Sequence, residues 1–116
     1  MIVYGIKSCD SVKKATTWLT KKKIKFEFHD YKAEGISEDK LKEWSKQVGW
    51  ERILNKKSTT WRDLGEEGQL KVTNEKAAIE VMKEKTSIIK RPLIENNDQV
   101  MAVGFNEEEY KKVFKK

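Results

Sequence analysis

The chain's only cysteine sits where a thiolate is easy to form. Tyr4-Gly5-Ile6-Lys7-Ser8-Cys9-Asp10-Ser11-Val12-Lys13-Lys14-Ala15 reads as the end of a short strand, a tight loop and the first turns of an amphipathic helix. Asp10 or Ser11 is expected to cap that helix, because a side-chain oxygen satisfies a free amide of the first turn. Cys9 then lies at a helix N-terminus, where free amides and the positive end of the dipole favour an anion. Lys7, Lys13 and Lys14 add positive charge nearby. The chemistry such a group offers is nucleophilic attack, with the amides and oxygens of Ser8, Asp10 and Ser11 available to a bound anion or peptide. The plain alternative is an incidental surface thiol. His29 is the only histidine; a Cys–His pair activates nucleophiles, but a lone histidine is more often solvated or hydrogen-bonded structurally.

The other residues narrow what that thiol can do. One Cys and one His exclude an internal disulfide framework and make a metal cluster untenable. At 116 residues the chain is long enough for one domain with a single core, and its 38% charged residues against 37% hydrophobic ones imply an economical interior. There is no apolar run long enough to span a bilayer. The opening Met-Ile-Val-Tyr-Gly lacks the regions of a signal peptide, so a reduced, cytoplasmic location is expected. The net charge of +6 comes from short lysine groups beside acidic residues, and arginine occurs three times. That pattern reads as a solvated face, and direct nucleic-acid binding is not expected.

The elements that position Cys9 follow from spacing. Ile2, Val3 and Tyr4 suit a strand. Asp10 to Lys22 places Val12, Ala15, Trp18 and Leu19 on one helical face. Lys25 to Asp30 alternates with period two and reads as a second strand. Strand, helix and strand in this span make one parallel unit with a right-handed crossover, which puts Cys9 and His29 at the carboxyl edge where ligand sites gather. Glu34-Gly35-Ile36 breaks the pattern. A helical third follows: a helix from Ser37 to about Val48, a short piece over Trp50 to Leu54, a brief helix capped by Ser58-Thr59-Thr60 and stopped at Gly65, and one from Thr73 or Asn74 to Lys85. The chain then returns to sheet through Ile88 to Ile94. Pro92 stands directly before the third strand, Asn96-Asn97-Asp98 forms a turn, and Val100 to Val103 makes the return strand. Asn106 caps a terminal helix. Trp18, Trp44, Trp50 and Trp61 fall at helix-face positions and read as packing. The order fits an α/β thioredoxin-like fold over residues 1–116, a mixed four-stranded sheet with flanking helices and a helical insertion at about 37–85. Only about 5–6% of bonds before proline are cis, so composition alone predicts a trans bond at Pro92.

Three segments together carry a resemblance: residues 4–15, Ser-Thr-Thr-Trp-Arg-Asp-Leu-Gly at 58–65, and Ile-Ile-Lys-Arg-Pro-Leu-Ile at 88–94. The sequence resembles the ArsC/Spx family through essentially its whole length, nearest the YffB-like branch. The resemblance implies a thioredoxin-like domain, a cis peptide at Pro92, and Cys9 and Arg91 as the reacting pair. In the arsenate reductase branch the matching cysteine attacks the oxyanion, the arginine holds the anion and lowers the thiol pKa, and glutathione and glutaredoxin resolve the adduct. Lys7 and Arg62 match the YffB-like pattern, with Lys7 expected to support the thiolate. Arg62 is either a second cation for the thiol pocket or a surface helix residue.

Departures from the family pattern narrow the chemistry. Gly5 stands where arsenate reductases place a histidine, and Asn55 and Gly104 fall near their other two anion-binding arginines. Val12 stands where dithiol Spx members carry a second cysteine, so a Cys-x-x-Cys switch is impossible here. The leading expectation is a glutathione-dependent monothiol reductase with no bound cofactor. Cys9 and Arg91 do the chemistry, and Lys7, Ser8, Asp10, Ser11, Arg62 and Pro92 line the site. The competing expectations are a non-enzymatic regulator that binds RNA polymerase and a true, glutaredoxin-coupled arsenate reductase.

Overall fold

β1 (Ile2–Gly5), α1 (Asp10–Lys21) and β2 (Glu27–Asp30) form the parallel strand–helix–strand unit that the spacings predict. The computed structural model describes residues 1–115. They fall into two compact units, one made of Met1–Glu34 with the segment from Arg91 onward, the other of Gly35–Lys90.

In the first unit the sheet order is β2-β1-β3-β4, with β3 (Leu93–Asn96) and β4 (Gln99–Val103) antiparallel to their neighbours. This is the mixed four-stranded sheet of a thioredoxin-like fold. β2 starts two residues later than the alternation of Lys25 and Phe26 suggests. Its ladder runs from Ile2↔Glu27 to Gly5↔Asp30, and β1 itself begins only at Ile2. β3 begins directly after Pro92, while Ile88 and Ile89 belong to a 3₁₀ turn over Thr86–Ile88 and an isolated bridge from Leu54 to Ile89. The β3–β4 turn places Asn97 at φ 51° and Asp98 at φ 64°, the left-handed pair that a two-residue hairpin needs and that Asn and Asp tolerate.

One face of this sheet carries the core. Val3, Ile94 and Ala102 meet Ala15, Trp18 and Leu19 of α1 and Tyr110 of α8 (Glu107–Phe114), with Phe26, Phe28, Phe105 and Phe114 around them. Trp18 packs edge-on against Tyr110 at 5.5 Å, and the Tyr110 hydroxyl donates to the Gly104 carbonyl at 2.7 Å. Each fully buried aliphatic side chain contributes about 1.5–3 kcal/mol, so Leu19 and Val3 anchor α1 behind the strand that delivers Cys9. On the other face, the Tyr4 hydroxyl donates to the buried Glu95 carboxylate at 2.7 Å.

Two short helices depart from the sequence expectation. α2 (Tyr31–Glu34) follows β2 without a break, because the Asp30 carboxylate accepts the amides of Lys32 at 3.0 Å and Ala33 at 3.3 Å and starts a helical turn. In the second unit, Gly65 does end α5 (Thr59–Asp63) with φ +71°, yet α6 (Gly65–Leu70) starts at once, tied back by a Gln69 side-chain bond to the Trp61 carbonyl at 3.0 Å. The remaining helices of this unit are α3 (Glu38–Val48), α4 (Trp50–Ile53) and α7 (Glu75–Glu84). Ser37 caps α3 as its position predicts, and of the alternatives the sequence leaves open, Ser58 caps α5 and Asn74 caps α7. Leu41, Trp44, Ile53, Ala78, Met82 and Ile88 are among the unit's buried residues. Among the described residues no helix is long and apolar enough to cross a membrane.

Candidate active site

The loop from Gly5 to Cys9 closes on a hydrogen bond from the Cys9 amide to the Ile6 carbonyl at 3.1 Å. Cys9 itself, with φ −82° and ψ 128°, is the residue before the first helical one, and its carbonyl accepts the Lys13 amide at 3.0 Å. This corrects the expectation that Asp10 or Ser11 caps the helix. A capping residue must keep non-helical backbone angles; Asp10 is already the first helical residue and Ser11 the second. No side-chain oxygen therefore caps α1, and the sulfur occupies the capping position instead.

That seat fixes the thiol's electrostatics. Partial burial pushes the Cys9 pKa up, but the Val12 amide, a hydrogen bond from Arg91, the Ser11 amide and the Arg91 charge together outweigh it. The thiol is held below its ordinary value. The sulfur makes no tight capping bond by geometry, but a sulfur anion draws on amide donors at longer reach than oxygen does.

Arg91 lies half-buried and hydrogen-bonds to both Cys9 and Tyr31. Burial works against its charge, and the Cys9 bond, the Tyr31 interaction and the Tyr31 bond more than restore it. The Arg91–Pro92 peptide is cis, as the resemblance implies and composition alone does not, and Pro92 is buried. Tyr31 was not singled out by sequence. It is fully buried, and desolvation pushes its phenol up to about 12 although the Arg91 charge pulls the other way.

The other sequence candidates divide. Lys7, Ser8 and Asp10 are exposed around the loop, and Ser11 is half-buried. A cleft of about 150 Å³ lined by Lys7, Val12, Lys13, Thr16 and Phe28 adjoins the loop. Arg62 is exposed on α5 of the second unit. The His29 ring lies against Tyr4 at a 48° tilt with centroids 5.0 Å apart, and its Nδ1 lies 3.6 Å from the Glu34 carboxylate. Trp18 and Trp44 are buried, while Trp61 carries Lys56 over its ring at 5.7 Å. Among the described residues no three His, Cys, Asp or Glu side chains are placed to hold a metal ion.

Gly5 and Val12, two of the departures noted above, are one packing contact. A Cβ on Gly5 would come within 2.6 Å of Val12 Cγ2, so no side chain fits there while Val12 keeps its place. Gly5→Ala is expected to cost about 1–3 kcal/mol through overpacking, read as a lower urea midpoint. Gly5→Ala combined with Val12→Ala should be more stable than the sum of the two single losses, because the clash disappears. Strict additivity would contradict this coupling.

Comparisons with known proteins bear on the family and the fold. Residues 4–113 match the ArsC family. The solved structure of a YffB protein is 43% identical, covers 97% of this chain and 96% of its own, and superimposes with a TM-score of 0.89. An arsenate reductase (ArsC) related protein from Brucella melitensis is 40% identical over 99% of this chain and 94% of its own, with a TM-score of 0.78. The global transcriptional regulator Spx of Streptococcus mutans is 30% identical over 105 residues, 88% of this chain and 74% of that one.

Proposed function

The chain belongs to the ArsC family, in its YffB-like branch, and from that premise we propose that it is a glutathione-dependent monothiol reductase with Cys9 as nucleophile. The observation that carries this reading is the seat of the sulfur at the N-cap of α1, facing the Ser11 and Val12 amides and hydrogen-bonded by Arg91. Each of these groups favours the thiolate over the thiol, and the thiolate is the reacting form.

The absence of a second cysteine dictates the cycle. For a substrate held as a mixed disulfide with glutathione, Cys9 Sγ attacks the glutathione sulfur, the S–S bond breaks, and the substrate leaves as a thiolate that takes up a proton. A second glutathione thiolate then attacks the Cys9–glutathione disulfide, releasing Cys9 as thiolate and forming oxidised glutathione. Arg91 and the helix amides hold the negative charge at each exchange. No bound cofactor enters this cycle, and a reducing, cytoplasmic setting suits it. Lys7, Ser8 and Asp10, with the half-buried Ser11, form the rim that meets the incoming thiol, and Pro92 sets the backbone that carries Arg91.

Incubation with a glutathionylated peptide and reduced glutathione tests the reading. The expected result is a Cys9–glutathione adduct by mass spectrometry and release of free peptide thiol; no adduct and no turnover would overturn it. The similarity to Spx favours a second reading, a regulator that docks on RNA polymerase. Recovery of the polymerase from extract equally by wild type and Cys9→Ser would support that alternative. Arsenate reduction coupled to glutaredoxin is the weaker variant, since Gly5 leaves no room for the histidine of that branch.

A further inference from the structure

We propose that Tyr31 is a positioning residue whose buried hydroxyl holds the Arg91 guanidinium against Cys9. The inference rests on the reading of Cys9 as an activated thiol and adds the residue that keeps its arginine in place.

The placement of Tyr31 is tightly specified. The Gly5↔Asp30 pairing ends β1 and β2 at one edge, so the residue after Asp30 starts from the same carboxyl edge as the Cys9 loop. Asp30 then accepts the Lys32 and Ala33 amides and fixes the turn of α2 that sends Tyr31 inward, where it is fully buried. A buried phenol needs a hydrogen-bond partner, and that partner is Arg91. Arginine offers five N–H donors in a rigid planar fork and no acceptor. The guanidinium therefore donates both to the Tyr31 oxygen and to the Cys9 sulfur. A long arginine chain samples many rotamers, and a second fixed acceptor selects the one that faces the sulfur. With its phenol pushed up to about 12, Tyr31 stays neutral at physiological pH and adds no negative charge beside the thiolate.

Tyr31→Phe keeps the ring and removes only the anchoring oxygen. Cys9 alkylation by iodoacetamide across a pH series is measured for wild type, Tyr31→Phe, Arg91→Ala and the double variant, with thermal midpoints alongside. Tyr31→Phe is expected to displace the alkylation profile to higher pH, slowing the reaction about fivefold near neutrality, the worth of one hydrogen bond. The double variant should move no further than Arg91→Ala. A Tyr31→Phe profile that overlays wild type while Arg91→Ala is displaced would overturn the role of Tyr31 and leave the thiol reading standing. Full additivity in the double variant would also overturn it, because Tyr31 would then act other than through Arg91. An unmoved Arg91→Ala profile would overturn it too, because the arginine that Tyr31 holds would then do nothing for the thiol. A wild-type midpoint at the ordinary thiol value as well would overturn the thiol reading beneath both. Should Tyr31→Phe not fold, nitrogen NMR of Cys9→Ser answers the question. With the sulfur gone, slow rotation of the Arg91 guanidinium supports the anchor and free rotation refutes it.

Discussion

In the Cys9→Ser variant, glutathione-dependent turnover is expected to fall by at least about a thousandfold while the fold is kept. A serine hydroxyl fits the same site but does not ionise near neutral pH, so the loop keeps its shape and loses its nucleophile. Cys9 is the only cysteine, so no other thiol replaces it. Urea denaturation of both proteins across pH supplies an independent readout. The folded thiol pKa lies below its unfolded value, so in the interval between the two the unfolded chain binds more protons, and stability rises with pH there. Wild type should therefore gain on Cys9→Ser as pH climbs through that interval, hold the full gain above the unfolded thiol value, and lose it as pH falls through the folded one. Turnover that survives in Cys9→Ser would remove the cysteine from the mechanism.

Arg91→Ala is the second large effect. It removes a hydrogen bond and a positive charge from the sulfur together, and both losses favour the neutral thiol. Loss of one preorganised donor to a developing anion typically costs about 10²–10³ in rate, and kcat/KM with a glutathionylated peptide should fall in that range. Arg91→Lys should rescue little, because an ammonium is a point charge on a flexible stem and lacks the planar fork that reaches Cys9 and Tyr31 at once. Full activity in Arg91→Ala would leave the helix amides as the sole activators of the thiol.

How much of this was legible in the sequence differs by element. Local signals carried the strand–helix–strand opening, the Ser37, Ser58 and Asn74 caps and the hairpin at Asn97–Asp98, because each depends on residues within a few positions. The start of β2 was not legible, since it depends on where β1 begins. The α1 cap was misassigned because Asp10 and Ser11 have better capping side chains than Cys9; the backbone angle of the loop decides the matter. α6 was missed because it starts at Gly65, where a stop was read. α2 was missed because its single turn fills the short gap between the strand end at Asp30 and the break at Glu34-Gly35-Ile36, too short to show a helical period.

The site shows the same division. Cys9 was visible from its local setting, while Arg91 and Pro92 came from the resemblance and not from spacing. Tyr31 has no local signal: its partner lies far along the chain, and only the sheet register and the Asp30 turn bring them together. Glu95 likewise sits in the buried alternation of β3, where an aliphatic residue is the usual choice, and its carboxylate accepts the Tyr4 hydroxyl across the sheet, a partner that no local signal reveals.

The most direct test of the account is the rate of Cys9 alkylation as a function of pH in the wild-type protein, followed by mass spectrometry. With one cysteine in the chain, the whole signal belongs to it. A half-maximal rate clearly below the ordinary thiol value of about 8.5, moving upward in Arg91→Ala, is the predicted result. A midpoint at the ordinary value, unchanged in Arg91→Ala, would contradict it.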